Sequence, residues 1–573
     1  MPVHNSEIAD IFDHLADLLE IKGANRFRVR AYRAAAQTVR DQSRSMADML
    51  EDGEDLSELP DIGEDLAGKI EEIVETGQLE LLEETKEEVP EAIAEITGIP
   101  GIGPKRAKAL FDELGIRSLD ELKQAAEDGK IREVEGFGEK TEASIREELE
   151  KGDLSEKRSR LAEAEDFAEP LLAYIRDIDG VKKATIAGSY RRRKETVGDI
   201  DILATAKKGS GVSDRFVDYD EVEEVVSHGE SRTTVILRSG LQVDLRVVPE
   251  VSYGAAMHYF TGSKAHNIAC RRRAIDRDLK LNEYGLFKGD DRIAGETEEE
   301  VYEEIGLPWI PPELRENRGE IEAAEKGELP ELIEIGDLRG DLHCHTTASD
   351  GRHGLAEMAE AARKRGYDYL AITDHSKSQT VAGGLEDDEL SKQIDEIAEL
   401  NEALDGIRLL AATEVDILED GSLDFPDDLL KRLDLVVASV HSKFGLSEEK
   451  QTERILRAMD NPHVSIIGHP TGRIINERRA YPLNMERIVE AAADTGCALE
   501  INATPMRLDL NDVHARMARD AGARISISTD AHSTAGLANI RYGVGQARRA
   551  WLEAGDVINT RSWTDLADLL KRG

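Results

Sequence analysis

In "GSYRRRKETVGDIDIL" (188–203), a run of cations leads directly into two aspartates spaced i, i+2. On a strand, Asp199 and Asp201 would share one face and Ile200 and Ile202 the other. "LQVDLRVV" (241–248) repeats this pattern, with Asp244 between Gln242 and Arg246 on the polar side. If the two strands are neighbours, three carboxylates converge, which is costly unless cations neutralise them. Two Mg²⁺ ions would do so, activating a 3′ hydroxyl and steadying a leaving pyrophosphate in an in-line displacement. Gly188, Ser189 and Arg192 lie just upstream, where the β and γ phosphates of a nucleotide would sit. An isolated Asp-x-Asp pair reads as the solvated edge of a strand. With the Gly-Ser turn, Arg192 and a third aspartate on a matching strand, it reads as a nucleotidyl-transfer site.

The C-terminal half carries a different chemistry. "DLHCHTTASDG", "ITDHS", "ATEVD", "SVHS", "IGHP" and "STDAHS" supply His343, His345, Asp350, His375, Glu414, His441, His469, Asp530 and His532. This mixture of imidazole and carboxylate suits Zn²⁺, Mn²⁺ or Fe²⁺ better than Mg²⁺ alone. Nine candidate ligands are too many for one ion, so two or three bridged ions are expected, activating water and clamping a phosphate for hydrolysis. A lone histidine is ordinarily structural, but packing alone does not place six at strand ends. Cys344 faces away from its flanking histidines and reads as core, and His353 fits no strand end and reads as a surface residue.

The elements that must position these residues follow from periodicity. Residues 1 to about 150 are helical in pattern. They contain one device three times: "LPDIGEDLAGKI" (59–70), "IPGIGPKRAKAL" (99–110) and "VEGFGEKTEASI" (134–145). Each is an apolar-x-Gly-apolar-Gly turn opening a helix, with Asp61 in place of the leading glycine in the first, and its backbone N–H groups can hold a phosphate without side-chain charge. These turns resemble the helix-hairpin-helix motif of DNA-repair proteins. From about 155, "KKATIAGSY", "GDIDILATA", "RTTVILRSG" and "LQVDLRVVP" read as strands of a mixed α/β sheet, followed by a helical, mixed segment to about 317. The acidic stretch 318–337 reads as a linker or bridging helix. Beyond it, strand-like runs ending at 345, 373, 415, 441, 469, 503 and 530 alternate with amphipathic helices, the pattern of a seven-stranded (β/α) barrel with its chemistry at the C-terminal strand ends.

The 573 residues carry 118 Asp plus Glu against 74 Lys plus Arg, a formal net charge of −44. Acid spread over every segment reads as a solvation strategy suited to a salt-rich cytoplasm. At about 1 M salt the Debye length is about 3 Å, so local cationic clusters outweigh net charge. The three cysteines, Cys270, Cys344 and Cys497, form no CxxC pair, so the sequence indicates neither a disulfide framework nor a cysteine zinc site, and a reducing interior fits. The polar start and the lack of a long apolar run point to a soluble cytoplasmic protein with no membrane partner, expected to be monomeric.

Residues 1 to about 315 resemble the X-family DNA polymerases, the group of polymerase beta. The likeness extends through "YFTGSKAHNIACRRR" (259–273) and "LNEYGLF" (281–287). It implies that Gly188, Ser189, Arg192 and Gly198 bind the nucleotide phosphates, that Tyr259, Phe260 and Gly262 line the sugar pocket, that Asn267 contacts the incoming base, and that Arg271 meets the template minor groove. It also implies a lyase-like first domain with its nucleophile at Lys69. Asp65 stands where the lyase-active relative has a supporting lysine, and Val197 replaces a serine of the phosphate turn. Residues 338–573 resemble the polymerase and histidinol phosphatase (PHP) domain, with all nine ligand positions filled. Asn502 and Arg507 in "EINATPMRLDLND" (500–512) would add phosphate contacts.

The expected architecture is therefore multidomain, α and α/β. A lyase-like helical domain (1–85) precedes a helix-hairpin-helix domain (86–152), a mixed α/β nucleotidyltransferase palm (153–255) and a base-pair-binding subdomain (256–317). A linker (318–337) then leads to the PHP barrel (338–573). The expected function is gap-filling synthesis on gapped or nicked DNA from dNTPs with Mg²⁺, combined with a 3′ to 5′ exonuclease in the barrel. Two rivals stay open at this level: a barrel that hydrolyses small phosphate esters or pyrophosphate, and a non-catalytic scaffold that binds DNA ends.

Overall fold

The computed structural model describes residues 5–571, apart from 23, 43–45, 52, 89–103, 117–118, 135–136, 139–140, 143–144, 147–157 and 208. The chain forms two compact units, Met1–Arg158 and Ser159–Gly573. No helix among the described residues is long and apolar enough to cross a membrane.

The first unit is helical. In α1 (Asn5–Lys22), Ile8, Phe12, Leu15 and Leu19 recur every three or four residues and are buried against α2 (Arg26–Asp41). One apolar cluster runs from Ile8 through Tyr32 and Ile70 to Leu110 and Ile145, so the described parts of 1–85 and 86–152 share a core. In the first hairpin turn, Asp61 has φ 60° and Gly63 caps α3 (Glu64–Thr76). The second turn (99–103) lies outside the described residues, as do 135–136 and 139–140 of the third.

The second unit opens with α4 (Leu161–Arg176), backing a five-stranded mixed sheet. Its strands are β1 (Val181–Ile186), β2 (Asp199–Ala206), β3 (Val222–Ser227), β4 (Arg232–Leu237) and β5 (Gln242–Val247), in the order β1-β2-β5-β4-β3. Only β2 and β5 run parallel. Ile200, Ile202, Val243 and Leu245 are wholly buried, which turns the intervening aspartates to the other face. The sequence pattern gave four strands. The fifth, β3, is an edge strand whose Val225 and Val226 stay exposed, so it has no buried face to produce a readable alternation. Helices α5 (Tyr253–Thr261) and α6 (Lys264–Ile275) follow, joined by a tight turn in which Ser263 caps α6.

Residues 318–337 are not a free linker. Helix α7 (Glu320–Lys326) packs Ile321 and Ala324 into the cluster that holds Cys270 and Ala274 of α6, and Ile333 enters the barrel core. The acidic composition misleads because Glu320 is itself buried, accepting bonds from the amides of Asn317 and Arg318 and from His266.

The barrel strands are β6 (Gly340–Asp341), β7 (Tyr369–Ile372), β8 (Arg408–Asp416), β9 (Leu435–Ser439), β10 (Ile466–Ile467), β11 (Ala498–Asn502) and β12 (Ile525–Ser528), parallel neighbours in chain order. A bridge between Cys344 and Ala531 brings the ends of the first and last strands together. Inward side chains such as Tyr369, Ala371, Leu410, Ala412, Leu435 and Val437 plug the interior, while Leu370, Ile372, Leu409, Ala411, Val436 and Ala438 face the surrounding helices. Continuing the inward parity along each strand gives His375, Glu414 and His441. Period-two alternation therefore fills the lower barrel with apolar groups and delivers ligand residues to its mouth.

Candidate active sites

In the palm, β2 and β5 pair in register with Asp201 opposite Asp244, and Asp199 shares the face of Asp201. The Asp201 carboxyl is raised to about 7, first by burial and then by the charges of Asp199 and Asp244. Asp244 is held by the Thr234 hydroxyl and by Arg232 at 3.3 Å. Gly188 lies against this site at φ 63°, and a Cβ there would come within 3.0 Å of Asp201 Oδ2, so only glycine fits. Ser189 is half-buried in the helical turn Gly188–Arg191, and Gly198 is exposed beside Asp199.

The nucleotide-pocket residues named from the sequence also gather. Tyr259 and Phe260 meet edge-to-face at 4.9 Å between ring centres, with Arg271 over the Tyr259 ring at 5.1 Å. Arg246, two residues beyond Asp244, covers the Phe260 ring at 4.1 Å and so links this pocket to the carboxylates. Asn267 donates to the Tyr259 carbonyl at 2.7 Å, and its own Oδ1 is buried without a partner. Arg192 sits against Gly262 but is engaged, donating to Glu316 at 3.0 Å and to the Thr261 carbonyl. A triphosphate would have to compete for it.

Lys69 is on α3, with Nζ 2.6 Å from Asp65 Oδ1. The nitrogen that would attack a sugar aldehyde is therefore occupied by a carboxylate one turn away.

The nine barrel residues converge on Glu414. Its carboxylate lies 2.8 Å from His375 Nδ1, 3.0 Å from His469 Nε2, 3.2 Å from His441 Nε2 and 3.5 Å from His343 Nε2. Asp530 lies 3.1 Å from His345 Nε2, and Asp350 lies 3.3 Å from His532 Nε2. Three overlapping groups have ligand atoms within 4.8 Å of one another: His345 with Asp350, His375 and His532; His343 with His345 and Asp530; and His375 with Glu414 and His441. His469 and Asp530 reach the centre from left-handed backbone, at φ 30° and 53°. Non-glycine residues rarely hold that conformation without a functional reason.

The donor set fits divalent metals. His343 Nε2, His345 Nδ1, His375 Nδ1 and Glu414 Oε2 are buried without a hydrogen-bond partner, a cost that ions at the centre would relieve. Electrostatics agree. Burial opposes charge throughout, yet the surrounding histidines hold the Glu414 carboxyl well below its usual range. Glu414 and Asp416 outweigh burial at His441 and raise it to about 10, whereas burial and His375 push His345 down to about 4. Protons and metal compete for the same lone pairs.

Some functional residues were missed in the sequence. Asp416 accepts from His441 Nδ1 at 2.6 Å and Glu500 from His343 Nδ1 at 2.8 Å, which turns each Nε2 toward the centre. Both stand an even number of residues along a strand from another inward group, and that parity was the available signal. Asn502 is buried and donates to Glu500 and Asp530 at 3.1 and 3.2 Å, so it braces carboxylates. Arg507 instead lines the open cleft of about 280 Å³ with Asp350, His375, Glu414, His441 and Asp530. His353 is half-buried, its ring accepting from the Thr534 amide at 3.3 Å, because the strand-end loop folds over it. The barrel and palm also touch. Arg473 binds Glu195 through both carboxylate oxygens, at 2.6 and 3.2 Å, and donates to the Arg507 carbonyl at 2.9 Å.

Comparisons with known proteins follow the same division. The chain matches the helix-hairpin-helix domain over 3–79 and the SAM-like helix-hairpin-helix tandem over 93–151. It matches the DNA polymerase beta palm over 160–272 and the polymerase beta thumb over 256–316. The PHP domain matches over 341–504. The chain is 37% identical to the Bacillus subtilis DNA polymerase/3′-5′ exonuclease PolX, across the whole of both chains. It is 30% identical over 231 residues to a probable phosphatase of Thermoanaerobacter, covering 38% of this chain and 89% of that protein. A probable phosphatase of Caldanaerobacter subterraneus is 33% identical over 205 residues, 34% of this chain and 75% of its own.

Proposed function

Because the chain belongs to the family of the DNA polymerase/3′-5′ exonuclease PolX, we propose that it fills short gaps in DNA at the palm carboxylates and trims 3′ ends in the barrel. The observation that carries this reading is the completeness of both ligand sets. Asp201 and Asp244 stand in register on neighbouring strands, and the nine barrel residues form one connected cluster.

On this reading Asp199, Asp201 and Asp244 hold Mg²⁺, and the nine barrel residues hold two or three ions of the Zn²⁺, Mn²⁺ or Fe²⁺ class. Bound divalent ions supply Lewis-acid activation of the attacking oxygen and charge neutralisation at phosphate. The chain's own residues do the rest. Gly188 lets a triphosphate approach the carboxylates, and Arg192 leaves Glu316 to meet it. Tyr259, Phe260 and Gly262 shape the sugar pocket, while Asn267, with its unpaired Oδ1, meets the incoming base edge. In the barrel, Arg507 at the cleft positions the phosphate beside the ions.

DNA must be held despite the net acid. Helix α2 exposes Phe27, Arg28, Arg30 and Arg33 in one stretch, a local cationic and aromatic surface suited to a strand end. With the hairpin turns of 1–85 and 86–152, it forms the proposed grip on gapped or nicked DNA. The evenly spread acid is read as salt adaptation, and an activity optimum at low KCl would contradict that.

The phosphatase-named relatives favour one second reading, a barrel acting on small phosphate esters. A 5′-labelled primer and p-nitrophenyl phosphate, each offered to wild type and His345→Ala, separate the two. The exonuclease reading expects primer shortening in wild type that His345→Ala loses, with negligible ester hydrolysis. Rapid ester hydrolysis beside an untouched primer would replace it.

A further inference from the structure

Helices α5 and α6 enclose a buried group that neither site uses. His258, near the end of α5, and His266 and Cys270, one turn apart on α6, are almost or wholly without exposure. One nitrogen of each histidine and the Cys270 sulfur lie within 4.8 Å of one another.

Three observations distinguish this group from ordinary packing. First, His266 Nδ1 is 2.6 Å from the buried Glu320 carboxylate. That bond favours the proton on Nδ1 and makes Nε2 the acceptor, as outer carboxylates do for metal-bound histidines, although the Tyr302 hydroxyl already donates to that nitrogen. Second, Cys270 Sγ is 3.4 Å from that Nε2. Tetrahedral bonds of the usual Zn–N and Zn–S lengths separate two such ligand atoms by about 3.5 Å. Third, His258 Nε2 is buried with no hydrogen-bond partner, which is costly for an imidazole unless something completes it. The Tyr302 hydroxyl donates to His266 Nε2 at 2.8 Å, a bond that an ion at this nitrogen would displace.

We propose that His258, His266 and Cys270 form a structural site for a thiophilic divalent ion of the Zn²⁺ class, separate from the palm and barrel sites. A thiolate with imidazoles selects Zn²⁺ or Co²⁺ and rejects Mg²⁺, so the site does not compete for the ions the palm uses. Binding exchanges the Cys270 thiol proton for the ion, and the proton leaves to solvent. The site acts as a brace. Glu320, the carboxylate bonded behind His266, belongs to α7, and Arg318 just before that helix is bonded to Asp512 of the barrel at 2.9 Å. Loading the site would therefore fasten α5 and α6 to the segment that joins palm and barrel.

The test uses the full chain, stripped with a chelator and titrated with Co²⁺. A thiolate ligand gives Co²⁺ a near-ultraviolet charge-transfer band that histidine and carboxylate ligands cannot give. The barrel supplies no thiolate, since Cys344 faces the Ala371 carbonyl and Cys497 is buried by its own strand. The proposal expects the band in wild type and in His345→Ala, and its loss in Cys270→Ser and His258→Gln while far-ultraviolet circular dichroism stays unchanged. Absence of the band from wild type, or its survival in Cys270→Ser, overturns the proposal. The wild-type arm decides even if a variant does not fold.

Discussion

The palm and barrel sites handle charge in opposite ways. The palm brings Asp201 and Asp244 together on two strands, leaves Asp199 exposed, and raises Asp201 to about 7 because burial and the charges of Asp199 and Asp244 outweigh the nearby Arg246 and Arg232. The barrel buries Glu414 among histidines that hold it well below its usual range, with Asp416 and Glu500 bonded behind them. The palm site is thus unfinished without its substrate and ions, even to the point that Arg192 is lent to Glu316. The barrel site is prebuilt, its ligand histidines already oriented by the carboxylates bonded behind them.

The comparison breaks most sharply at Glu414. Glu414→Gln should reduce primer shortening on the order of a thousandfold and leave extension unchanged, measured on one labelled primer with and without dNTPs. Asp416→Asn, acting through His441, should cost about 10- to 100-fold in metal affinity, readable by competition with a chelator. Equal losses of extension and shortening in Glu414→Gln would mean that the two sites are not separate.

Arg473→Ala probes a contact between palm and barrel that reaches the surroundings of both sites. It frees Glu195 in the phosphate-turn loop and the backbone of Arg507 at the barrel cleft, so both activities should fall by about tenfold. A loss confined to one activity would show that the contact serves a single site.

A third test is pH. Because the folded value of Asp201 lies above its ordinary 3.8, the folded protein holds that proton more tightly than the unfolded chain. Stability of the metal-free protein therefore falls as pH rises from about 4 to about 7 and levels off above, by no more than a few kcal/mol. Melting from about pH 5 to about pH 8 should show this slope in wild type, with Asp201→Asn flatter and added Mg²⁺ restoring stability on the alkaline side. Identical slopes in wild type and Asp201→Asn would remove the electrostatic contrast.

The smallest effect is expected at Lys69. Its ion pair with Asp65 is a one-turn helix pair of about 0.3 to 0.5 kcal/mol, so Lys69→Ala should change gap filling less than twofold. Borohydride trapping on a 5′-deoxyribose-phosphate end should give no adduct in wild type, and a strong adduct would restore Lys69 as a nucleophile.

Much of this was legible in the sequence because the chemistry sits on strands, where side-chain direction follows parity. Asp199, Asp201 and Asp244 needed only the assumption that β2 and β5 are neighbours, and the barrel ligands needed only strand ends. What stayed hidden depends on contacts between distant segments. Glu320 looked like part of a solvated acidic linker until His266 and two backbone amides buried it. Arg473 and Glu195 are 278 residues apart, and no local pattern announces their pair. The edge strand β3 has no buried face to produce a readable alternation.

The central claim is that one chain carries two independent phosphate chemistries, with synthesis at the palm carboxylates and degradation at the barrel cage. The most direct measurement follows a labelled primer at a one-nucleotide gap in high KCl, with Mg²⁺ or Mn²⁺, with and without dNTPs, for wild type, Asp201→Ala and His345→Ala. The account predicts that Asp201→Ala abolishes extension and keeps shortening, and that His345→Ala does the reverse. Shortening that survives His345→Ala would contradict it.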